Sequence, residues 1–285
     1  MFVNRLDAGE TIFLERDLQT TLAQSKDVKH RKLRILKENV VPINTELSNA
    51  DRSFTYDVYD SYGVAKIVTS YRAGDIPSVD ISRTEVTGKI FPVMAKMTYD
   101  FQEIREAAKA NVPLTNKRRD AVIKAIDTKL DRIAWFGDAD HNLVGLAQYP
   151  GVTSATVPND GTGASKTWAS KTVDLILRDI YNGIAAIKDP TNAIESPDTL
   201  ALPSQVATAL GTRMVNTANS GNVTILNLLK TVLVDVGITR ILGFNELNTA
   251  SSTGGTRAIS FKNDPDAMGV FLPVTMPCSI PKEDG

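Results

Sequence analysis

A chain of 285 residues that is 42% hydrophobic can fill the cores of one or two domains. Lys and Arg number 32 against 33 Asp and Glu, so a formal charge of -1 excludes a global attraction to nucleic acid or membrane and leaves any such role to local clusters. The single cysteine, Cys278, excludes an intramolecular disulfide framework; together with the absence of a signal-peptide core and of a run of about 18 apolar residues, it predicts a soluble cytoplasmic chain.

Residues 1–50 are weakly periodic. A short helix is expected between Thr11 and Ala23, followed by a basic stretch carrying Lys29, Arg31, Lys32, Arg34 and Lys37. Ordering each residue costs roughly 1–2 kcal/mol of backbone entropy. The segment has too few apolar residues to offset that, which predicts that it is mobile or held by a partner. Residues 51–98 are rich in strand formers (Phe54, Tyr56, Val58, Val64, Ile81, Val86) punctuated by Gly63, Gly74, Pro77 and Gly88. The alternation through Val79-Asp80-Ile81-Ser82 and Thr84-Glu85-Val86-Thr87 predicts a solvated β-ribbon. Such a ribbon is marginal in water by itself and needs a neighbour.

At Asp100 the period becomes helical. Asp100 with Glu103 forms a capping-box-like start, and Phe101, Ile104 and Ala108 share a face. Pro113 breaks this helix. Thr115 then starts a second one, whose apolar stripe Val122, Ile126, Leu130, Ile133 runs to Phe136-Gly137. After a Gly/Ser/Thr loop over 159–170, helices are expected at Thr172–Lys188, from Ser204 to about Leu210, and at Thr224–Val236 with Gly237 as its stop. Strands are expected at Thr199–Leu202, Ile238–Leu242 and Arg257–Phe261, giving an α+β domain with a central sheet.

Motifs for chemistry are scarce. Gly161-Thr162-Gly163-Ala164-Ser165-Lys166-Thr167 resembles a phosphate loop in composition, but Ser165 stands where the loop requires glycine before the lysine. Asp138-Ala139-Asp140-His141-Asn142 begins like a calcium loop, yet Leu143 and Tyr149 occupy the positions that need Gly and Glu; a helix-terminating turn fits better. Two histidines and one cysteine supply little for zinc or acid–base catalysis. No catalytic, cofactor or metal site is predicted. Lys117, Arg118 and Arg119 sit at a helix start, where cations oppose the macrodipole, so they are expected to answer an acidic partner or a phosphate. The basic stretch at 29–37 lacks interleaved aromatics, which favours a salt-bridged face over nucleic-acid contact.

The strings Tyr62-Gly63-Val64-Ala65-Lys66, Glu103-Ile104-Arg105-Glu106-Ala107-Ala108 with Pro113-Leu114, and Phe136-Gly137 through Gly145-Leu146 to Pro150-Gly151-Val152 carry a resemblance. Over most of its length the chain resembles the major capsid proteins of tailed bacteriophages, a fold (the Johnson fold) shared with encapsulin shells. The resemblance implies an α+β fold with an N-terminal arm (1–50), an extended β-loop (51–98), a peripheral domain with a long spine helix at about 115–136 (99–150), and an axial domain (151–285). It implies no enzyme and no cofactor, but hexamers and pentamers of an icosahedral shell around double-stranded DNA, assembled in a bacterial cytoplasm. The implied partners are copies of itself, a scaffolding protein, a portal and non-specifically packaged DNA, with no membrane. In such a protein Lys29, Arg31, Lys32, Arg34, Lys37, Lys117, Arg118 and Arg119 are the candidates for facing a neighbouring subunit or nucleic acid. The fold also implies a terminal strand returning from axial to peripheral domain, expected here to be short, absent or outside the sequence. Three alternatives stand beside this reading: an encapsulin-type compartment with protein cargo, a nucleotide-binding protein or enzyme using the 161–167 loop, and a tail- or portal-associated structural protein.

Overall fold

The computed structural model describes residues 34–36, 38–48, 50–67, 77–110, 114–215, 223–251 and 254–273. The helix expected between Thr11 and Ala23, Pro113, Cys278 and the segment 280–285 lie outside them. In chain order the elements are β1 (Ile43–Asn44), β2 (Ser53–Tyr62), β3 (Asp80–Lys89), α1 (Phe101–Lys109), α2 (Leu114–Phe136), α3 (Val173–Lys188), β4 (Thr199–Pro203), α4 (Ser204–Thr212), α5 (Ile225–Val232), β5 (Arg240–Phe244), β6 (Ile259–Phe261) and β7 (Val270–Phe271).

The organising strand is β4. It lies between β5, parallel to it from Thr199↔Arg240 to Pro203↔Phe244, and β6, antiparallel from Thr199↔Phe261 to Ala201↔Ile259. All five of its residues are buried, as expected of a strand covered on both faces. Successive side chains point to opposite faces, so Leu200 and Leu202 enter one core and Ala201 the other. The first core takes Ile176, Ile180 and Ile184 of α3, spaced four apart along one helical face, with Ile225 and Leu229 of α5. The second takes Trp135 from the end of α2, Phe244, Leu247 and Phe261, together with Ile35, Val40 and Val41 from the beginning of the described chain.

Those last three residues alter the expectation for residues 1–50. From Arg34 onward this segment is ordered by the chain's own core: Ile35 N–H donates to the buried Asp131 carboxylate at 3.3 Å, and β1 pairs in parallel with β7. The chain thus returns at Val270–Phe271 to a strand near its beginning, a pairing too short to read from either sequence.

Helix α2, with 23 residues, is about 34 Å long at about 1.5 Å per residue. Its expected stripe is only partly covered, and its buried side chains are Asp131 and Trp135, near the C-terminal end. Gly137, in the left-handed conformation at φ +70, ends it as a C-terminal glycine does. Gly237 closes the Leu233–Val236 turn after α5 in the same way, at φ +104. Ser204, which by residue type reads as the cap of α4, is its first residue instead, with Pro203 at the cap position. Its hydroxyl bonds Asn245 and Asn248, and the Asn248 side chain accepts from Gln205 N–H at 3.3 Å.

Candidate assembly surface

Strands β2 and β3 form a ten-pair antiparallel ribbon, from Ser53↔Lys89 to Tyr62↔Asp80, that belongs to neither of the other sheets. Cross-strand pairs hold it: Arg83 with Asp57 at 2.8 Å, Tyr62 hydroxyl to Asp80 at 3.3 Å, and the Thr55 and Thr87 hydroxyls at 3.4 Å. Eighteen of its residues are exposed; only Phe54 and Gly88 are partly covered. Large apolar side chains are among the exposed ones, including Tyr56, Val58, Tyr59, Tyr62 and Ile81. A two-stranded ribbon with both faces in water lacks the buried face that normally stabilises a sheet.

Its root is fixed. The Phe54 ring lies 4.1 Å (centroid to centroid) from Phe271 and covers Gly88, where a Cβ would come within 2.3 Å of the ring. Only a glycine opposite Phe54 lets the ring cross the ribbon there. Beyond the ribbon, residues 90–100 lead to α1 without a helix or strand of their own. Asp100 caps that helix by accepting from Gln102 N–H at 3.1 Å. The expected capping box is not closed, because Glu103 pairs with Arg118 at the start of α2. Helix α1 has a strongly apolar face but no buried residue.

Arg118 also donates to the Thr98 carbonyl and stacks over the Tyr99 ring at 5.2 Å. Arg118 thus finds an acidic partner inside the chain, where it staples α2 to the segment before α1. Lys117 and Arg119 are exposed on the same turns. From the other basic cluster, Arg34 is likewise used internally. It pairs with Glu38 at 2.8 Å, donates to the Gly243 carbonyl at 2.8 Å and covers the Phe244 ring at 5.1 Å. The Glu38 carboxylate raises its pKa further. Arg34 is thus engaged within the chain while its side chain stays about a third exposed. Lys29, Arg31, Lys32 and Lys37 lie outside the described residues.

The corner after α2 is a helix-terminating turn and not a calcium loop. Asp138 and Leu143 exchange backbone hydrogen bonds of 2.8 and 2.9 Å. The Asp138 carboxylate meets Lys129 at 2.8 Å and His141 at 3.5 Å, and Lys129, then His141, hold it below the usual carboxylate range despite partial burial. A Cβ on Gly137 would fall 2.1 Å from the Leu143 carbonyl, and one on Gly145 2.3 Å from Gly137 nitrogen. The two backbones touch because both residues are glycine.

The 161–167 loop is folded on itself. Gly161 and Ser165 pair through their backbones at 2.9 and 3.3 Å, and no strand leads into it. Helix α3 begins only at Val173, well past Lys166, so the helix N-terminus that would receive a phosphate is missing. Its neighbourhood is instead a charge cluster that sequence spacing did not signal. Lys171, fully buried, lies 2.7 Å from Asp160 and 2.7 Å from Asp179. Arg178 bridges the same two carboxylates, and Trp168 Nε1 donates to Asp179 at 3.1 Å. Burial disfavours the Lys171 ammonium, but Asp160 and Asp179 outweigh it and its pKa is raised; Lys171, then Arg178, lower that of Asp160. The four charges lock the loop onto α3. Among the described residues no group of His, Cys, Asp and Glu is placed to hold a metal, and no helix is long and apolar enough to cross a membrane.

What the surface offers is thus a long uncovered ribbon, an uncovered helix and a rigid strut on a well-packed body. The family model described as Major capsid protein matches residues 63–284. Among solved structures, one from the capsid of Myoviridae phage XM1 superposes with a TM-score of 0.74 at 19% identity, covering 93% of this chain and 86% of that one. A chain from Mycobacterium phage Bobi matches at a TM-score of 0.45 and 16% identity, over 84% of this chain and 72% of that one, a likeness too distant to bear on the fold. No curated protein matches the sequence. The chain belongs to the major capsid protein family, has the fold of a tailed-phage capsid subunit, and is a structural protein of the virion shell, not an enzyme.

Proposed function

We propose that the protein assembles with copies of itself into hexamers and pentamers of an icosahedral shell that encloses double-stranded DNA. The observation that carries this is the ribbon: twenty paired residues with apolar side chains in water on both faces. An edge of that kind is a liability in a protein that stays alone and a contact surface in one that assembles. The division into an arm (1–50), an extended loop (51–98), a peripheral domain (99–150) and an axial domain (151–285) suits that role, with a scaffolding protein and a portal as further partners. Lys117 and Arg119 remain candidates for a neighbouring subunit, as do Lys29, Arg31, Lys32 and Lys37 for a neighbour or DNA. The test is negative-stain electron microscopy of purified particles with their nucleic-acid and protein content measured. Closed polyhedra containing DNA are expected. Closed shells filled with a second protein would place the chain with cargo compartments, and a dispersed monomer under all assembly conditions would remove the shell reading.

A further inference from the structure

Among the described residues, the ribbon is covered at one point. Of its twenty residues only Phe54 and Gly88, which face each other across the strands, are partly covered. Its backbone joints close locally: Asp51 N–H donates to the Ser48 carbonyl at 3.1 Å and Ile90 N–H to the Arg52 carbonyl at 2.9 Å. Joints of that kind hold the two strands together and leave their direction open. Direction comes from the aromatic side chains. Phe271 lies 4.1 Å from Phe54, and Phe54 stacks on Tyr56 at 6.4 Å with the ring planes 8° apart.

Phe271 is itself placed from inside the body. Strand β7 has two residues, and successive side chains of a strand point to opposite faces. Val270 packs on the second core, so Phe271 is turned outward to the ribbon. The strand is pinned along β1, because Val270 N–H donates to the Pro42 carbonyl and Leu272 N–H to the Asn44 carbonyl, both at 2.9 Å. A slip of one residue would exchange the two side chains and withdraw the ring. The parts that set the ribbon's direction are thus far apart in the chain. β1 and the ribbon come first, and β7 is the last of the described elements to be made.

We infer that Phe271 is the positioning residue of the ribbon: it clasps Phe54 and aims the strands, so that a chain becomes able to join a neighbour only after β7 has paired with β1. The inference rests on the shell reading above and adds to it the residue that controls when the contact surface is presented. A single aromatic pair shifts a two-position equilibrium by about two- to tenfold. A closed shell requires the ribbon of every copy, which multiplies the effect. The test compares Phe271→Ala with Val270→Ala, its neighbour on the core face of the same strand. Spin labels at Tyr59→Cys and Arg132→Cys, in unassembled full chains with Cys278→Ser, report the ribbon's direction. Tyr59 stands on the ribbon face opposite Phe54, and Arg132 is exposed on α2. The otherwise wild-type chain and Val270→Ala are expected to give one narrow distance distribution. Phe271→Ala is expected to give a broad one, with a shell yield about tenfold below that of Val270→Ala. Gly88→Ala loosens the clasp without touching β7, since its Cβ would come within 2.3 Å of the Phe54 ring. It should broaden the distribution and lower shell yield as Phe271→Ala does, with the urea midpoint of the subunit unchanged, and it decides if Phe271→Ala does not fold. A narrow distribution in Gly88→Ala, or shells from it at wild-type yield, would overturn the inference. So would equal loss of shells from folded Val270→Ala and Phe271→Ala chains. Wild-type chains that form no shells fail the shell reading instead, and the distance measurement on unassembled chains still decides the clasp.

Discussion

Trp135 is where the strut meets the body, and its removal separates what holds that joint from what merely lies along the helix. The side chain is 1% exposed, sits edge-on to Phe244 at 4.9 Å, and shares its core with Ile35, Val41 and Phe261. Burying a tryptophan removes 150–250 Å² from water, worth roughly 4–6 kcal/mol at about 25 cal/mol per Å². Truncation to alanine keeps one methyl group and lets neighbours relax, so Trp135→Ala should cost about 4 kcal/mol. Leu130, on the stripe that the helical period marks as core, is only partly covered. Leu130→Ala should therefore cost about 1 kcal/mol. With a urea slope of about 3 kcal/mol per M, Trp135→Ala moves the unfolding midpoint of unassembled subunits down by about 1.3 M and Leu130→Ala by about 0.3 M. Far-UV circular dichroism is the suitable signal, since the substitution removes one of two tryptophans. Equal midpoints for the two variants would refute the reasoning, because depth of burial would then not decide the energetics of the strut.

Gly137→Ala meets both a left-handed backbone and a carbonyl 2.1 Å from the new Cβ, whereas Gly163→Ala meets the same φ, +71, with nothing within 4 Å. The second should cost about 1–2 kcal/mol and the first clearly more, read as the difference in melting temperature. Arg118→Ala breaks the link to Glu103, Thr98 and Tyr99; faster amide exchange in α1 is expected, with the nucleic-acid content of particles unchanged. Asp160 has its pKa lowered chiefly by Lys171, so its stabilising contribution is present above the unfolded carboxylate pKa and is lost as pH falls through the lower folded value. Asp160→Asn should accordingly flatten the acid limb of a melting temperature versus pH profile below about pH 4; an unchanged limb would remove Asp160 from the acid response.

Local pattern carried much of the fold. Leu200-Ala201-Leu202 is a short apolar run after Thr199, ended by Pro203, of a length that favours a covered strand over a helix; β4 is that strand. The 173–188 helix was legible because Ile176, Ile180 and Ile184 share one face. Depth was not legible. The period of α2 marks a face, but what packs with Trp135 comes from Ile35, Val40, Val41, Phe244, Leu247 and Phe261, so Trp135 and Asp131 are buried while Leu130 is partly open. The strand β7 has two residues and pairs with β1 across nearly the whole chain, beyond the reach of any local signal. The ribbon, the central part of the candidate surface, was visible as alternation at 79–87. Its register then explains Gly88, whose opposite residue is Phe54. Nothing in the spacing of Asp160, Lys171, Arg178 and Asp179 announces a charge cluster around a buried lysine, because the fold of the loop must first bring Asp160 and Lys171 to the adjacent Arg178 and Asp179 of α3. Arg34 and Arg118 looked like surface cations for the same reason: their partners Gly243, Phe244 and Glu103 come from other elements.

The central claim is that the ribbon exists for contact between copies, and its excision tests that most directly. Ile90 N–H donates to the Arg52 carbonyl at 2.9 Å and Phe54 packs on Phe271, so residues 55–87 are replaced by a short Gly-Ser turn that keeps this root. Sedimentation velocity with negative-stain microscopy should find a folded subunit, cooperative in melting, that forms no closed shells under conditions where the wild type does. Closed shells of normal size from the excised chain would contradict the account.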